Sequence, residues 1–494
     1  MASTFLQLFA KQTSKAELVH LLERVMGRFE RIVCGRFEYE ESVSECALFV
    51  KALDRIFRKI SVLSRLSSGY NFLRFNAELV QRSARHQIAN CRRNILNSVQ
   101  KTNIDIFTNL LNSAPTLSSS QSDTGRTFRA SSLFQSDRNE LLKKALETLE
   151  NGFIHSVKGA LAALLMFTAS DIIFSTIPHF QPIFGFDVHE QIIVGAIKDL
   201  LREMDKNIWG NGFQSDEKGE QATGKAVELV VLATFLRNLH LKHLEYLMEL
   251  CQEQYRLSEF AAEQQTYSLT PIGDLADSLK RMVDDLLRKY VEAQSKELIQ
   301  LAGRSIELFD WNGCTESPRH VRSLVKHLAL SVEEMNRDLC TFMDDGGLAK
   351  LKERTPDSLR GYATMRRAAS AASSVYNDAS SVSSGGIVER LWGDTETPEE
   401  GGGILSAETV ATMTMEFRRD VMGAIVRLLL LAFCDFVRAQ KFSRQGFEQL
   451  QVDCAYVRQR LWYFVADEHM LNTCIEDIVT AAGINASFSV FNDL

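Results

Sequence analysis

Two stretches of the chain bring together residue types that can do chemistry. In "LRNLHLKHLEYLMEL", His240 and His243 stand three apart with Glu245 close by, a spacing that sets two imidazoles on one helix face for a metal ion. In "QGFEQLQVDCAYVRQRLWYFVADE", residues 445–468, Asp453 stands beside Cys454 among several arginines. A cysteine nucleophile needs a base within reach and surroundings that lower its thiol pKa. No histidine lies within a turn of this pair. Cys454 falls instead on an apolar stripe of Phe447, Leu450, Cys454, Val457, Leu461 and Phe464, at steps of three and four residues. It therefore reads as a small buried hydrophobe. Asp453, at the edge of the stripe, is placed to pair with Arg458 or with a side chain of another helix. Trp462 and Tyr463 each add bulk and a polar tip, which suits an interhelical or partner surface. The histidine pair sits in a similar setting: Leu241, Leu244, Leu247 and Met248 supply an apolar face, and the histidines read as partly exposed side chains of an amphipathic helix.

Other chemistry finds less support. No G-x-x-x-x-G-K-[ST], G-x-S-x-G, H-E-x-x-H or G-x-G-x-x-G occurs. "TGKAVE" at 223–228 lacks the hydroxyl that would hold magnesium, and Asp344-Asp345-Gly346-Gly347 lacks the alternating oxygen ligands of a calcium loop and reads as a helix stop. The expectation is a non-enzyme with no catalytic, cofactor or metal site. The nine cysteines form no C-x-x-C pair, which fits a reducing compartment. A net charge of −7 argues against nucleic acid as the partner. The two greasiest runs, "GALAALLMFTASDIIF" and "RLLLLAFCDFVR", fall short of the roughly 20 apolar residues that span a bilayer. They read as buried helices of a protein that is cytosolic or peripheral to a membrane.

The elements that must position these residues are helices. Only 7 prolines are present, and apolar residues recur at helical steps, as in Leu53, Ile56, Ile60 and Leu63, or Ile88, Cys91, Ile95 and Val99. "SLTP" predicts a helix start with Thr270 as cap and Pro271 in the first position. "TESPRHVRSLVKHL" repeats that signal at Ser317 and Pro318. The fold class expected is all-α: elongated helical bundles joined by disordered linkers. The boundaries are a basic N-terminal helical segment at 1–111, with a break at "SSGY" (67–70), and a Ser-rich linker at 112–138. A central bundle at 139–351 follows, with a loop at 207–224, then a second linker at 352–405, a C-terminal bundle at 406–484 and a frayed tail at 485–494. Arg366 and Arg367 before Ser370, in the second linker, resemble a basophilic kinase site.

Charge is unevenly spread. Residues 51–101 hold eleven Lys or Arg against Asp54 and Glu78 alone. On a helix, Arg82, Arg85, Arg92 and Arg93 fall well away from the Ile88–Cys91–Ile95–Val99 face. They are a solvated face, or a basic surface for an anionic membrane or an acidic partner helix.

The segment "FSRQGFEQLQVDCAYVRQRLWYFVADE" resembles the C-terminal signature of the vacuolar protein sorting-associated protein fifty-one family, also called fat-free. The matching residues are Gly446, Gln451-Val452-Asp453, Leu461-Trp462 and Phe464 to Glu468. A central block is similar at Thr270-Pro271, Tyr290-Val291, Gln294, Asp310-Trp311, Pro318-Arg319 and Val321-Arg322, and "FTASDIIFSTIPHF" is a third match. The resemblance runs over residues 145–485. It implies a subunit of the Golgi-associated retrograde protein complex and of its endosomal recycling relative, which tether endosome-derived vesicles and help SNARE assembly. It also implies the helical-rod fold shared with exocyst, other large helical subunits as partners, and a place at the trans-Golgi network and endosomes. Trp311, Pro318, Arg319, Arg322, Phe447, Gln451, Asp453, Leu461, Trp462, Asp467 and Glu468 are then packing or partner-interface residues. Members of the family usually begin with a short SNARE-binding segment and a long coiled coil, whereas this sequence starts directly with short helices. The alternative is a subunit of another helical-rod tether such as exocyst, or a lipid-binding helical scaffold.

Overall fold

The computed structural model describes residues 15–37, 46–64, 71–113, 127–210, 219–260, 269–343 and 418–486. Among them the all-α reading is borne out, the single exception being an isolated bridge between Phe442 and Ala486. The helices are α1 (Lys15–Phe37), α2 (Cys46–Ser64), α3 (Phe72–Ser113), α4 (Thr127–Leu165), α5 (Phe180–Val188), α6 (Gly195–Gly210) and α7 (Gly219–Asn238). They continue with α8 (Leu244–Gln254), α9 (Ile272–Glu307), α10 (Ser323–Phe342), α11 (Arg418–Arg438), α12 (Arg444–Leu461) and α13 (Glu468–Ile484). The 352–405 linker, Ser370, Asp344 to Gly347, "SSGY" and the last eight residues lie outside the described residues.

The chain divides into two compact units. One comprises Met1–Asp123, Lys144–Ser215 and Phe235–Met282; the other comprises Thr124–Lys143, Asp216–Thr234 and Val283–Leu494. In the first unit α2 and α3 pack together, and α3 packs on α5 and α6. The division therefore does not follow the sequence blocks 1–111 and 139–351, because an apolar helix face buries against whichever neighbours the chain brings to it.

The core of the first unit is aromatic. Phe167 lies 5.9 Å from Phe49, 6.1 Å from Phe174 and 5.1 Å from Phe184, ring centre to ring centre. Phe180 stacks on Phe184 at 5.5 Å. Phe167 and Phe174 of this cluster belong to the greasy run after Lys158, which is not one helix. α4 ends at Leu165, and short 3-10 turns follow at Met166–Thr168 and Ile173–Thr176. Asp54, buried in α2, explains the break: its Oδ1 accepts the main-chain N–H groups of Ile173 (2.8 Å) and Phe174 (3.4 Å), so the turn folds onto a fixed carboxylate.

Three further boundaries differ from the sequence pattern. α4 begins at Thr127, inside the expected Ser-rich linker, because extending an established helix costs far less than nucleating one. For the same reason α6 reaches Gly210 and α7 starts at Gly219, within the expected 207–224 loop. Within "LHLKH" the backbone forms a π-turn, Leu239–His243. That wider turn buries Leu239 and Leu244, five residues apart, and turns Leu241 outwards at 64% exposure, so Leu241 leaves the apolar face.

In the second unit α11 is apolar and buried almost all round, and it packs against α10 and α13, while α12 packs on α10 and α13. α12 starts at Ser443, whose Oγ accepts from the Gly446 N–H at 3.1 Å, and α13 starts at Asp467, whose Oδ1 accepts from the Met470 N–H at 3.1 Å.

Candidate functional site: the Arg322–Asp453 junction

The family-like residues of two distant blocks meet in the second unit. Asp453 has no exposed surface. Its Oδ2 accepts from Arg322 Nε at 2.5 Å and its Oδ1 from the Arg322 main-chain N–H at 3.1 Å, 131 residues away in sequence. Arg322 Nη1 also donates to the Ser305 carbonyl at 2.5 Å, which ties in the end of α9. The guanidinium carbon lies 4.3 Å from the Trp311 ring centre and 5.1 Å from that of Phe309. Gln449, one turn before Asp453, donates from Nε2 to both Asp453 Oδ1 and the His320 carbonyl, each at 3.1 Å. The expected partner choice, Arg458 or another element, is thus resolved in favour of the segment that opens α10.

This also explains why α10 starts at Ser323 and not at Pro318. Arg322 is its N-cap residue, and the carboxylate of Asp453 takes the main-chain N–H there. The expected caps at Ser317 and Thr270 both give way to tertiary bonds. Thr270 Oγ1 donates to Glu190 Oε2 at 2.7 Å, and α9 begins at Ile272.

Trp311 holds the second half of the junction. It is 1% exposed, donates from Nε1 to the Ile306 carbonyl at 2.8 Å, and packs on Phe309 (4.7 Å) and Phe442 (5.1 Å). Its own carbonyl accepts from the Ser443 N–H at 3.0 Å and Ser443 Oγ at 3.1 Å. A Cβ on Gly446 would fall on that carbonyl oxygen, so only glycine lets α12 approach this closely.

The remaining expected residues are more dispersed. Leu461 is fully buried, while Phe447, Gln451, Pro318 and Trp462 are half-buried, and Arg319, Asp467 and Glu468 are exposed. α12 ends at Leu461, so Trp462 to Phe464 form a 3-10 turn and Phe464 leaves the apolar stripe. Cys454 is buried, and burial pushes its thiol up to about 12, with the neighbouring Asp453 adding to the rise. A thiol so placed is protonated and inert at neutral pH. Gln449 and Ser443 were missed by motif reading, although Gln449 stands four residues before Asp453, a helical pairing distance.

In the first unit three of the four arginines of the basic run are drawn to carboxylates of other elements. Arg82 pairs with Glu30 of α1, and Arg85 Nε lies 3.3 Å from Asp187. Arg92 grips Asp199 through Nε (2.5 Å) and Nη2 (2.6 Å) and holds Asp199 below the usual carboxylate range. Arg93 donates to Asn90 Oδ1 at 3.3 Å. His243 Nε2 lies 3.7 Å from Glu150 Oε2, and among the described residues no group of three metal-ligating side chains occurs.

A cavity of about 320 Å³ in the same unit is bordered by His189, Glu245, Met248, Glu249, Gln252 and the Leu269–Ile272 segment. His189 begins a π-turn and is fully enclosed, so it presents no atom to a ligand there. Its Nδ1 lies 3.2 Å from Glu190 Oε1, which already accepts from the Thr270 N–H; the imidazole is therefore the donor, and its buried Nε2 has no partner. Burial lowers the His189 pKa from 6.5 and outweighs the raising effect of Glu190, so the contact is a hydrogen bond of a neutral ring. The folded state thus binds fewer protons here than the unfolded state. The stability it confers is complete above pH 6.5 and is lost as pH falls from there towards the folded pKa. Thermal unfolding followed between about pH 7.5 and about pH 5.5 is expected to show this decline, and His189→Gln to flatten part of it; an unchanged slope in the variant counts against this account.

Known proteins place these motifs. No family model matches the chain, and no solved structure matches it. It is 25% identical over 492 residues to the vacuolar protein sorting-associated protein 51 homolog of Xenopus tropicalis, covering 98% of this chain and 59% of that protein. The homolog of Danio rerio is 26% identical over 477 residues, covering 95% of this chain and 54% of its own length. The human homolog is 24% identical over 489 residues, covering 98% and 57%. The chain thus spans under three fifths of the length of these curated relatives. The similarity to the vacuolar protein sorting-associated protein 51 homologs thus runs along nearly the whole chain, through both blocks that meet at Arg322 and Asp453.

Proposed function

We propose that the chain is a non-enzymatic subunit of a multisubunit vesicle-tethering complex that acts in retrograde endosome-to-Golgi transport and endosomal recycling. Its partners are the other large helical subunits of that complex and, through them, a SNARE, and it works at the trans-Golgi network and endosomes. The observation that carries this reading is the continuous alignment with relatives named for vacuolar protein sorting. The junction supports it: Trp311, Arg322 and Asp453, three of the residues that the family resemblance singles out, are turned inwards, where they join helices. Among the described residues no helix is long and apolar enough to cross a membrane, in keeping with recruitment to a membrane surface.

Affinity purification of the tagged chain from its native cell, followed by mass spectrometry, tests the proposal. Co-recovery in near-equal amounts of the large helical subunits of a retrograde or recycling tether is the expected result. Recovery of exocyst subunits, or of no stable partner, overturns it.

A further inference from the structure

We propose that the outer face of α2 is a docking surface for an anionic phospholipid membrane. The run of positive charge between residues 51 and 101 divides in two once folded. Arg82, Arg85 and Arg92 are matched by Glu30, Asp187 and Asp199, and Arg58 by Asp54 at 2.6 Å. Lys51, Arg55 and Lys59 are exposed and meet no carboxylate among the described residues. At 100° per residue these three lie within about 80° of one another on the helix, together with Leu48 and Val62. Those two aliphatic side chains are 71% and 57% exposed.

The composition of this face selects the partner. The opposite side of α2 is fixed in the core by Phe49, Val50, Leu53 and Ile60, so the helix cannot sink into a bilayer. What remains is three cations that meet no carboxylate among the described residues, flanked by two shallow apolar contacts, as a surface-bound amphipathic helix presents to headgroups. A surface that docked one acidic helix would place its carboxylates opposite single cations, and the exposed Leu48 and Val62 at the two ends of the row would have no role in it. Four glutamates precede α2 in sequence, Glu38, Glu40, Glu41 and Glu45, so the full chain is used, in which any competition from them is already present.

The test is flotation of the full chain with vesicles of phosphatidylcholine alone or with added phosphatidylserine. Binding is expected only with the anionic vesicles, and it falls steeply with salt. The triple variant Lys51→Glu, Arg55→Glu, Lys59→Glu is expected to reduce partitioning on the order of 100-fold. Leu48→Ser with Val62→Ser is expected to weaken binding while leaving its salt dependence intact. Lys143→Glu, Lys144→Glu, Lys280→Glu makes the same change in net charge at other exposed positions and is expected to retain binding. All variants touch exposed side chains, and circular dichroism checks that each remains helical. Absence of flotation at low salt, including the case in which this face binds only acidic peptides, overturns the proposal, as does equal loss in the control triple. The result is independent of which subunits are recovered by affinity purification.

Discussion

Replacing Arg322 with methionine is expected to destabilise the junction of α10 and α12 by about 3–5 kcal/mol, the usual cost of leaving one member of a buried ion pair without the other. Asp453 has no exposed surface, and after the change it keeps only the Gln449 amide and one main-chain N–H. Water cannot reach it to compensate, and the Ser305 carbonyl loses its donor as well. The pair itself need not be strongly stabilising, because taking two charges out of water offsets most of their attraction. The prediction is therefore asymmetric: the double variant Arg322→Met, Asp453→Leu is expected to recover much of what Arg322→Met loses. The two compact units need not unfold together, so a single midpoint is a poor measure. Hydrogen exchange of the α12 amides reads the local free energy directly. Exchange in α12 that stays at the wild-type rate in Arg322→Met would sink this account of the junction.

That junction marks the limit of what the sequence could reveal. The periodic stripes in α2, α3 and α12 pointed to core residues such as Leu53, Ile60, Ile88, Cys91, Leu450 and Leu461, since 3.6-residue repeats are local and follow from burial alone. Cys454 was legible as a packing residue for the same reason. Partner choice was not. Arg322 and Asp453 are 131 residues apart, and nothing local distinguishes Asp453 from a surface carboxylate facing Arg458. The same holds for the basic run: a count of charges cannot tell that Glu30, Asp187 and Asp199 arrive beside Arg82, Arg85 and Arg92 while Lys51, Arg55 and Lys59 meet none among the described residues. Helix starts failed where a tertiary bond outcompeted a local cap: Glu190 engages Thr270, and Asp453 fixes the start of α10 at Arg322 and not at Ser317. The π-turn at Leu239–His243 failed differently, because one extra residue in a turn rotates every side chain beyond it and no periodic template carries that phase change.

The other large effect expected is at Leu461, the last residue of α12. Its side chain is fully buried where the helix gives way to the Trp462–Phe464 turn. Leu461→Ala removes buried methyl groups and is expected to cost about 2–5 kcal/mol, depending on how far the surroundings relax. Leu461→Asp removes the same apolar surface and adds a carboxylate at a fully buried position. It is expected to cost several kcal/mol more, or to be relieved only by protonation of the new acid or by release of the α12 end. Cys454→Ala, on the same stripe, is the comparison that isolates the role of position. Cys454 lines a small apolar cavity with Val457, Leu429 and Phe433, and loss of one sulfur atom there is expected to cost about 1 kcal/mol. The order Leu461→Asp, then Leu461→Ala, then Cys454→Ala, read from hydrogen exchange and from urea unfolding of each variant, is the expected result. A Leu461→Asp protein as stable as the Leu461→Ala protein would mean that residue 461 reaches solvent or a partner surface, and α12 would then be an interface helix instead of a wall of the bundle.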